Sequence, residues 1–152
     1  MSAKLVDESK SEEIYKAYLK PKAEDGELMY RCKYTYGYYK QHFVDFRELI
    51  FKRNLIVIKD QGYQLIVENL SKTNNKNSSL IVRHFLGNES FLKDAVSVLS
   101  KMFSGRSISK LKMVCFEKEI SQLTDTIERC GFVEEVNYRI GENNRVHYAF
   151  LL

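Results

Sequence analysis

The chain has 152 residues, 44% of them hydrophobic, with ten tyrosines, nine phenylalanines and a formal net charge of +4. That length suits a single domain burying roughly 70% of its unfolded surface, and the aromatic and aliphatic content excludes a disordered segment. Cys32, Cys115 and Cys130 are odd in number and lack C-x-x-C spacing, which points away from a disulfide framework or a zinc site, while so mild a charge selects no partner by itself.

The opening MSAKLVDESKSEE is charged where a signal peptide needs an apolar run, and no apolar stretch approaches a bilayer span. The expectation is a cytoplasmic protein with no membrane partner. Ala3 to Val6 is a short candidate strand. Ser9 with Glu12 three residues later fits a capping box, and Ile14, Tyr15, Tyr18 and Leu19 place an apolar stripe on a helix running to about Lys20, closed by Pro21.

From Tyr30 to Tyr39 aromatic residues alternate with Arg31, Lys33 and Lys40 nearby. The pattern predicts an extended loop, followed by a helix carrying Phe43, Phe46, Leu49 and Ile50 and ending near Arg53. Such a tyrosine-rich segment packs on the core, walls a substrate cleft or stacks nucleobases, and the absence of an RNP-type motif puts nucleic acid last. Leu55 to Lys59 and Tyr63 to Leu70, joined by Asp60-Gln61-Gly62, read as a hairpin, and Ser71 to Ser79 as a loop.

Leu80 to Phe85 reads as a third consecutive strand, then the loop Leu86-Gly87-Asn88-Glu89 leads into a helix beginning near Ser90. On that helix Phe91, Ala95, Val98 and Met102 form one row and Leu92, Val96, Leu99 and Phe103 the next, a face wide enough for deep packing on a sheet. After Ser104-Gly105-Arg106-Ser107 comes the strand Lys110 to Phe116, and then a helix with Ile120, Leu123, Ile127 and Cys130 on one face. Gly131 stands where a helix end needs left-handed backbone. Val133 to Ile140 and Val146 to Leu152 close the chain as strands, joined by Gly141-Glu142-Asn143-Asn144.

The expected class is therefore α/β, a mixed α+β sheet with helices on both faces, in the order β-α-α-β-β-β-α-β-α-β-β. At least one strand pair should be parallel. With the stretch IERCGFVEEVNYRI leading into VHYAFLL, this order resembles the GNAT superfamily of N-acyltransferases. The resemblance in element order covers essentially the whole chain; at residue level it is clearest from Ile127 to Leu152.

The resemblance implies a co-substrate, acetyl-CoA or another acyl-CoA, and an amine acceptor, either a small molecule or a protein. It implies that the strand Leu80 to Phe85 splays from its neighbour and that pantetheine lies along Val82, Arg83, His84 and Phe85. The pyrophosphate would then lie on Leu86, Gly87, Asn88, Glu89 and Ser90, where free amides and the helix dipole favour an anion. The family's loop pattern, R/Q-x-x-G-x-G/A, is met here by Arg83 and Gly87 with one residue too many and no second small residue. Glu89 would have to turn outward, because a like charge about 5 Å from phosphate costs roughly 1–3 kcal/mol. The alternative assigns Gly87 to a turn, Asn88 to the helix cap and Glu89 to the dipole.

The family's proton-donating Tyr, four residues before the Gly, is replaced by Ile127, and its Asn by Ile120. Acylation needs a base for the incoming ammonium and an acid for the departing thiolate. His84 and Glu68 are the candidate bases, against half-exposed and solvent-facing roles; Tyr138 and Tyr148 are the candidate acids, subject to which face each presents. Cys115 lies in an apolar run that suppresses its reactivity, and Cys130, His42 and His147 suggest no metal site. The oligomeric state stays open, a homodimer included. A binding or regulatory module that has lost catalysis is the alternative function.

Overall fold

In the computed structural model, which describes residues 3–72, 78–105, 107–116, 121–140 and 143–152, the branched apolar runs become strands of one mixed sheet. Among those residues the order is β1 (Lys4–Val6), α1 (Ser11–Tyr18), β2 (Leu28–Arg31), α2 (Lys33–Tyr39), α3 (Phe43–Phe51), β3 (Leu55–Asp60), β4 (Tyr63–Asn69), β5 (Ser79–Gly87), α4 (Glu89–Met102), β6 (Lys110–Phe116), α5 (Ser121–Arg129), β7 (Val133–Ile140) and β8 (Asn143–Leu151). The strands run β1-β3-β4-β5-β6-β8-β7, with β2 an added partner of β5. Among these pairings only β5 with β6 is parallel, as the intervening α4 requires.

The expected helices on both faces are present. On one face the α4 and α5 residues Phe91, Leu92, Ala95, Leu99, Leu123 and Ile127 bury against Leu65, Val67, Leu80, Val82 and Met113. On the other, Ile14 and Tyr18 of α1 and Phe46 and Ile50 of α3 bury against Leu55, Val57 and Ile66. The two rows predicted for α4 supply its five buried residues, and its N-cap is Asn88, whose side chain accepts from the Phe91 amide.

The stretch from Tyr30 to Tyr39 departs from the expected loop. Leu28–Arg31 is a strand and Lys33–Tyr39 a helix. The period-2 signal was real over the first half; in the second the alternating tyrosines divide by helical spacing, Tyr36 and Tyr39 packing on Tyr18 while Tyr34 and Tyr38 face solvent. The predicted capping box also gives way. Asp7 caps the chain entering α1, its carboxylate accepting the Ser9 amide at 3.0 Å, and Ser11 donates to the Glu8 carbonyl instead. Ile120, Arg106 and the Gly141-Glu142 turn lie outside the described residues.

At the end of α5, Gly131 has φ 103°. A Cβ there would stand 2.9 Å from the Phe150 ring. Gly131→Ala is expected to destabilise the fold by about 1–3 kcal/mol, through left-handed strain and the displaced ring, read as a lower melting temperature.

Candidate functional site

β5 and β6 pair only through Ser79, Leu80 and Ile81, opposite Lys110, Leu111 and Lys112. Beyond that point β6 stays with β8 through Phe116, and β5 keeps β4 on its other side. The two central strands therefore part, as the sequence resemblance implied. The gap is filled by β2, which pairs antiparallel with β5, Arg31 opposite His84 and Leu28 opposite Gly87. Past its end the Cys32 amide donates to the Arg83 carbonyl at 2.9 Å. From β2 the Tyr30 hydroxyl crosses the gap and donates to the Val114 carbonyl of β6 at 2.6 Å.

The register of β5 slips where Ile66 faces His84 but Val67 faces Val82, leaving Arg83 as an extra residue. This bulge turns consecutive side chains, Arg83 and His84, to the α1–α3 face. Arg83 donates through Nε to Glu68 Oε1 at 3.0 Å and through a terminal nitrogen to the Cys32 sulfur at 3.2 Å. The Tyr39 hydroxyl also approaches Glu68, at 3.4 Å. With 11% and 16% of their side chains exposed, Arg83 and Glu68 form a part-buried ion pair. Glu68 was expected to face solvent or a substrate amine, and its carboxylate is instead engaged on Arg83.

His84 was expected to be half-exposed or to serve as a base beside the cleft, and it is fully buried. Its Nδ1 lies 3.1 Å from Gln64 Nε2, which also donates to the Ile14 carbonyl at 3.1 Å, so Nδ1 accepts. That leaves the Nε2–H tautomer, whose nitrogen has no hydrogen-bond acceptor among the described residues. The Tyr18 ring stands edge-on at 5.1 Å. Burial, reinforced by the charges of Arg31 and Lys59, pushes the His84 pKa down to about 3. In this position it takes no proton near neutrality.

The two candidate acids lie on opposite faces. Tyr138 is 43% exposed, with the Arg145 guanidinium 4.7 Å over its ring and His147 at 5.4 Å. Tyr148 is buried on the α4–α5 face beside Ile127, its hydroxyl reaching Glu128 at 3.4 Å. Burial and the neighbouring Glu128 push the Tyr148 pKa up to about 12, so it remains a protonated donor.

At the start of α4 the structure revises the expected loop. Leu86 and Gly87 belong to β5, and a Cβ on Gly87 would meet the Phe91 ring at 2.7 Å. That glycine is required by ring packing. Glu89 does turn outward, to Arg129 at 2.5 Å and Lys93 at 3.3 Å, and both cations hold its carboxyl below the usual range. Its carboxylate thus does not plug the turn. A separate cavity of about 510 Å³ opens on Leu86 from the α1 side, bordered by Glu13, Lys16, Leu19, Lys20 and Lys59.

Sequence reasoning missed β2. Its signal was present in Leu28 to Cys32, where the alternation of Tyr30 and Cys32 marks the buried edge. Among the described residues no group of three or more metal-ligating side chains occurs, and no helix is long and apolar enough to cross a membrane.

No protein-family model matches the chain, and no curated protein matches it in sequence. Solved structures do. The aminoglycoside 6'-N-acetyltransferase from Enterococcus faecium superposes with TM-score 0.67 at 8% identity, over 99% of this chain and 97% of that one. A structure described as an acetyltransferase of the GNAT family from Desulfovibrio desulfuricans gives 0.59 at 8% identity, over 98% and 96%. Aminoglycoside acetyltransferase AAC(6')-Ib in complex with coenzyme A gives 0.55 at 10%, over 99% and 94%. At such identities the likeness is one of architecture.

Proposed function

Starting from a chain that has the GNAT acetyltransferase fold along its whole length, we propose that it is an acyl-CoA-dependent N-acyltransferase, with acetyl-CoA as the donor and a small-molecule or protein amine as the acceptor. The observation that carries this reading is the parting of β5 from β6 after Ile81, within a fold that holds coenzyme A in a structural neighbour.

The donor would lie along the β5 backbone from Val82 to Phe85 and then along Leu86 and Gly87 at the end of β5, reaching Asn88, Glu89 and Ser90 at the start of α4. In the conformation described, the donor does not fit that path, because Leu28–Arg31 and Cys32 already hold the β5 edge. Residues that remain available are the amides of Glu89 and Ser90, which precede the capped Phe91 amide at the positive end of α4. Tyr148 supplies a protonated hydroxyl on one side of the sheet, and Tyr138 an exposed one on the other. His84 and Glu68 would need release from Gln64 and Arg83 before either takes up a proton.

A second reading, a GNAT-fold binding or regulatory module without catalysis, is favoured by three observations. The edge is filled by β2, Ile127 replaces the usual acid, and His84 is sealed away.

Thermal melting with and without acetyl-CoA tests the acyl-CoA binding that both readings share. At about 100 times Kd, acetyl-CoA is expected to add about 2.7 kcal/mol, a rise of roughly 5–10 °C for a chain of this size. A flat response would remove acyl-CoA from both readings. Release of free thiol from acetyl-CoA across an amine panel then separates enzyme from module: turnover supports the first, and binding without turnover the second.

A further inference from the structure

Strand β2 stands on the backbone edge that an extended ligand would use, and we propose that it is a displaceable strap which shuts the acyl-CoA path until the ligand takes its place. The inference rests on the acyl-CoA reading above.

A pantetheine arm is an extended chain with two secondary amides, so it pairs to a strand edge through the same N–H and C=O groups that a peptide uses. Leu28–Arg31 offers β5 that chemistry from within the molecule, over His84 to Gly87. Ligand and strap are therefore mutually exclusive on one row of amides and carbonyls.

The strap is only four residues long. Among the described residues its strand partner is β5, and the Tyr30 hydroxyl ties it to the Val114 carbonyl of β6. Arg31 latches it to α1 through the Tyr18 carbonyl at 3.1 Å, with the guanidinium 4.2 Å over the Tyr36 ring. Upstream, residues 20–27 lie outside any helix or strand and are half-buried to exposed, a tether that lets β2 swing without unwinding α1. When β2 leaves, β5 remains held by β4 on its other edge and by β6 at its base. The burial of Tyr30 keeps the closed form dominant, which lowers apparent ligand affinity by the fraction open.

Met29 faces Leu86 across the β2–β5 pair, a spacing within disulfide reach. In Met29→Cys/Leu86→Cys, compared only with itself because Leu86 borders the proposed donor path, oxidation is expected to weaken acetyl-CoA binding at least ten-fold by calorimetry relative to the same variant in dithiothreitol. Tyr30→Phe, which loses the Val114 bond, is expected to bind about 3- to 10-fold tighter. In the unmodified protein, acetyl-CoA should speed amide hydrogen exchange at residues 28–31, the reverse of ordinary ligand protection. Equal binding by the oxidised and reduced forms, with exchange in β2 unchanged, would overturn the strap and leave the acyl-CoA reading intact. Failure of the unmodified protein, Tyr30→Phe and the reduced double variant alike to bind acetyl-CoA would overturn both.

Discussion

Glu68→Ala is expected to destabilise the protein by about 2–4 kcal/mol and lower its melting temperature by roughly 5–15 °C. Glu68 and Arg83 are both largely buried and 3.0 Å apart. Deleting the carboxylate leaves a guanidinium that water reaches poorly, with the Cys32 sulfur at 3.2 Å as a weak remaining acceptor. Glu68→Gln keeps the shape and one acceptor oxygen and should cost less. Melting and thiol release measured on the same preparations distinguish this structural role from a catalytic one. Lost activity at an unchanged melting temperature would show that the carboxylate acts on substrate and that the ion pair holds nothing together.

The other large effect is set by acid. His84 is neutral in the fold, its pKa moved from 6.5 to about 3, first by burial and then by the charges of Arg31 and Lys59. Below about pH 6.5 the unfolded chain takes up a proton that the folded one refuses, so stability present above that pH is lost as pH falls toward 3. Linkage puts the loss from this one residue at about 2 kcal/mol by pH 5 and about 3 kcal/mol by pH 4. Other groups titrate in the same window, so the measurement is a difference: urea unfolding of the unmodified protein and of His84→Leu at pH 7, 5 and 4. The variant should lose the His84 share of the slope. Parallel stability curves for the two would show that His84 takes up its proton while folded.

Much of the architecture was legible because local and long-range demands agreed. Leu55–Asp60 and Tyr63–Asn69 are branched, and only Gln61 and Gly62 separate them, so strand propensity and turn length give the same hairpin. The rows of α4 and the left-handed Gly131 were equally plain. The candidate site was less legible, since its decisive features are tertiary. Nothing in the composition of Leu28–Arg31 announces that its partner is a strand more than fifty residues away. The bulge that turns Arg83 and His84 to one face exists only once β4 lies beside β5, and a residue-by-residue alternation cannot foresee it. His84 looked half-exposed because an imidazole in a strand usually is; Gln64 and Tyr18, which enclose it, come from other elements. The loop at Gly87 misled for a related reason. A glycine beside a helix start suits phosphate or an aromatic ring equally well, and Phe91 decided between them.

A strand bared along one side is a template on which another molecule can lay its own backbone, the opening step of fibrous association. β5 beyond Ile81 would be such a template, apolar at Val82, Phe85 and Leu86, were Leu28–Arg31 not seated there. Solubility and ligand entry are thus opposed on a single row of backbone groups. Whatever frees the row for a small molecule also offers it, until that molecule arrives, to a neighbouring copy of the chain.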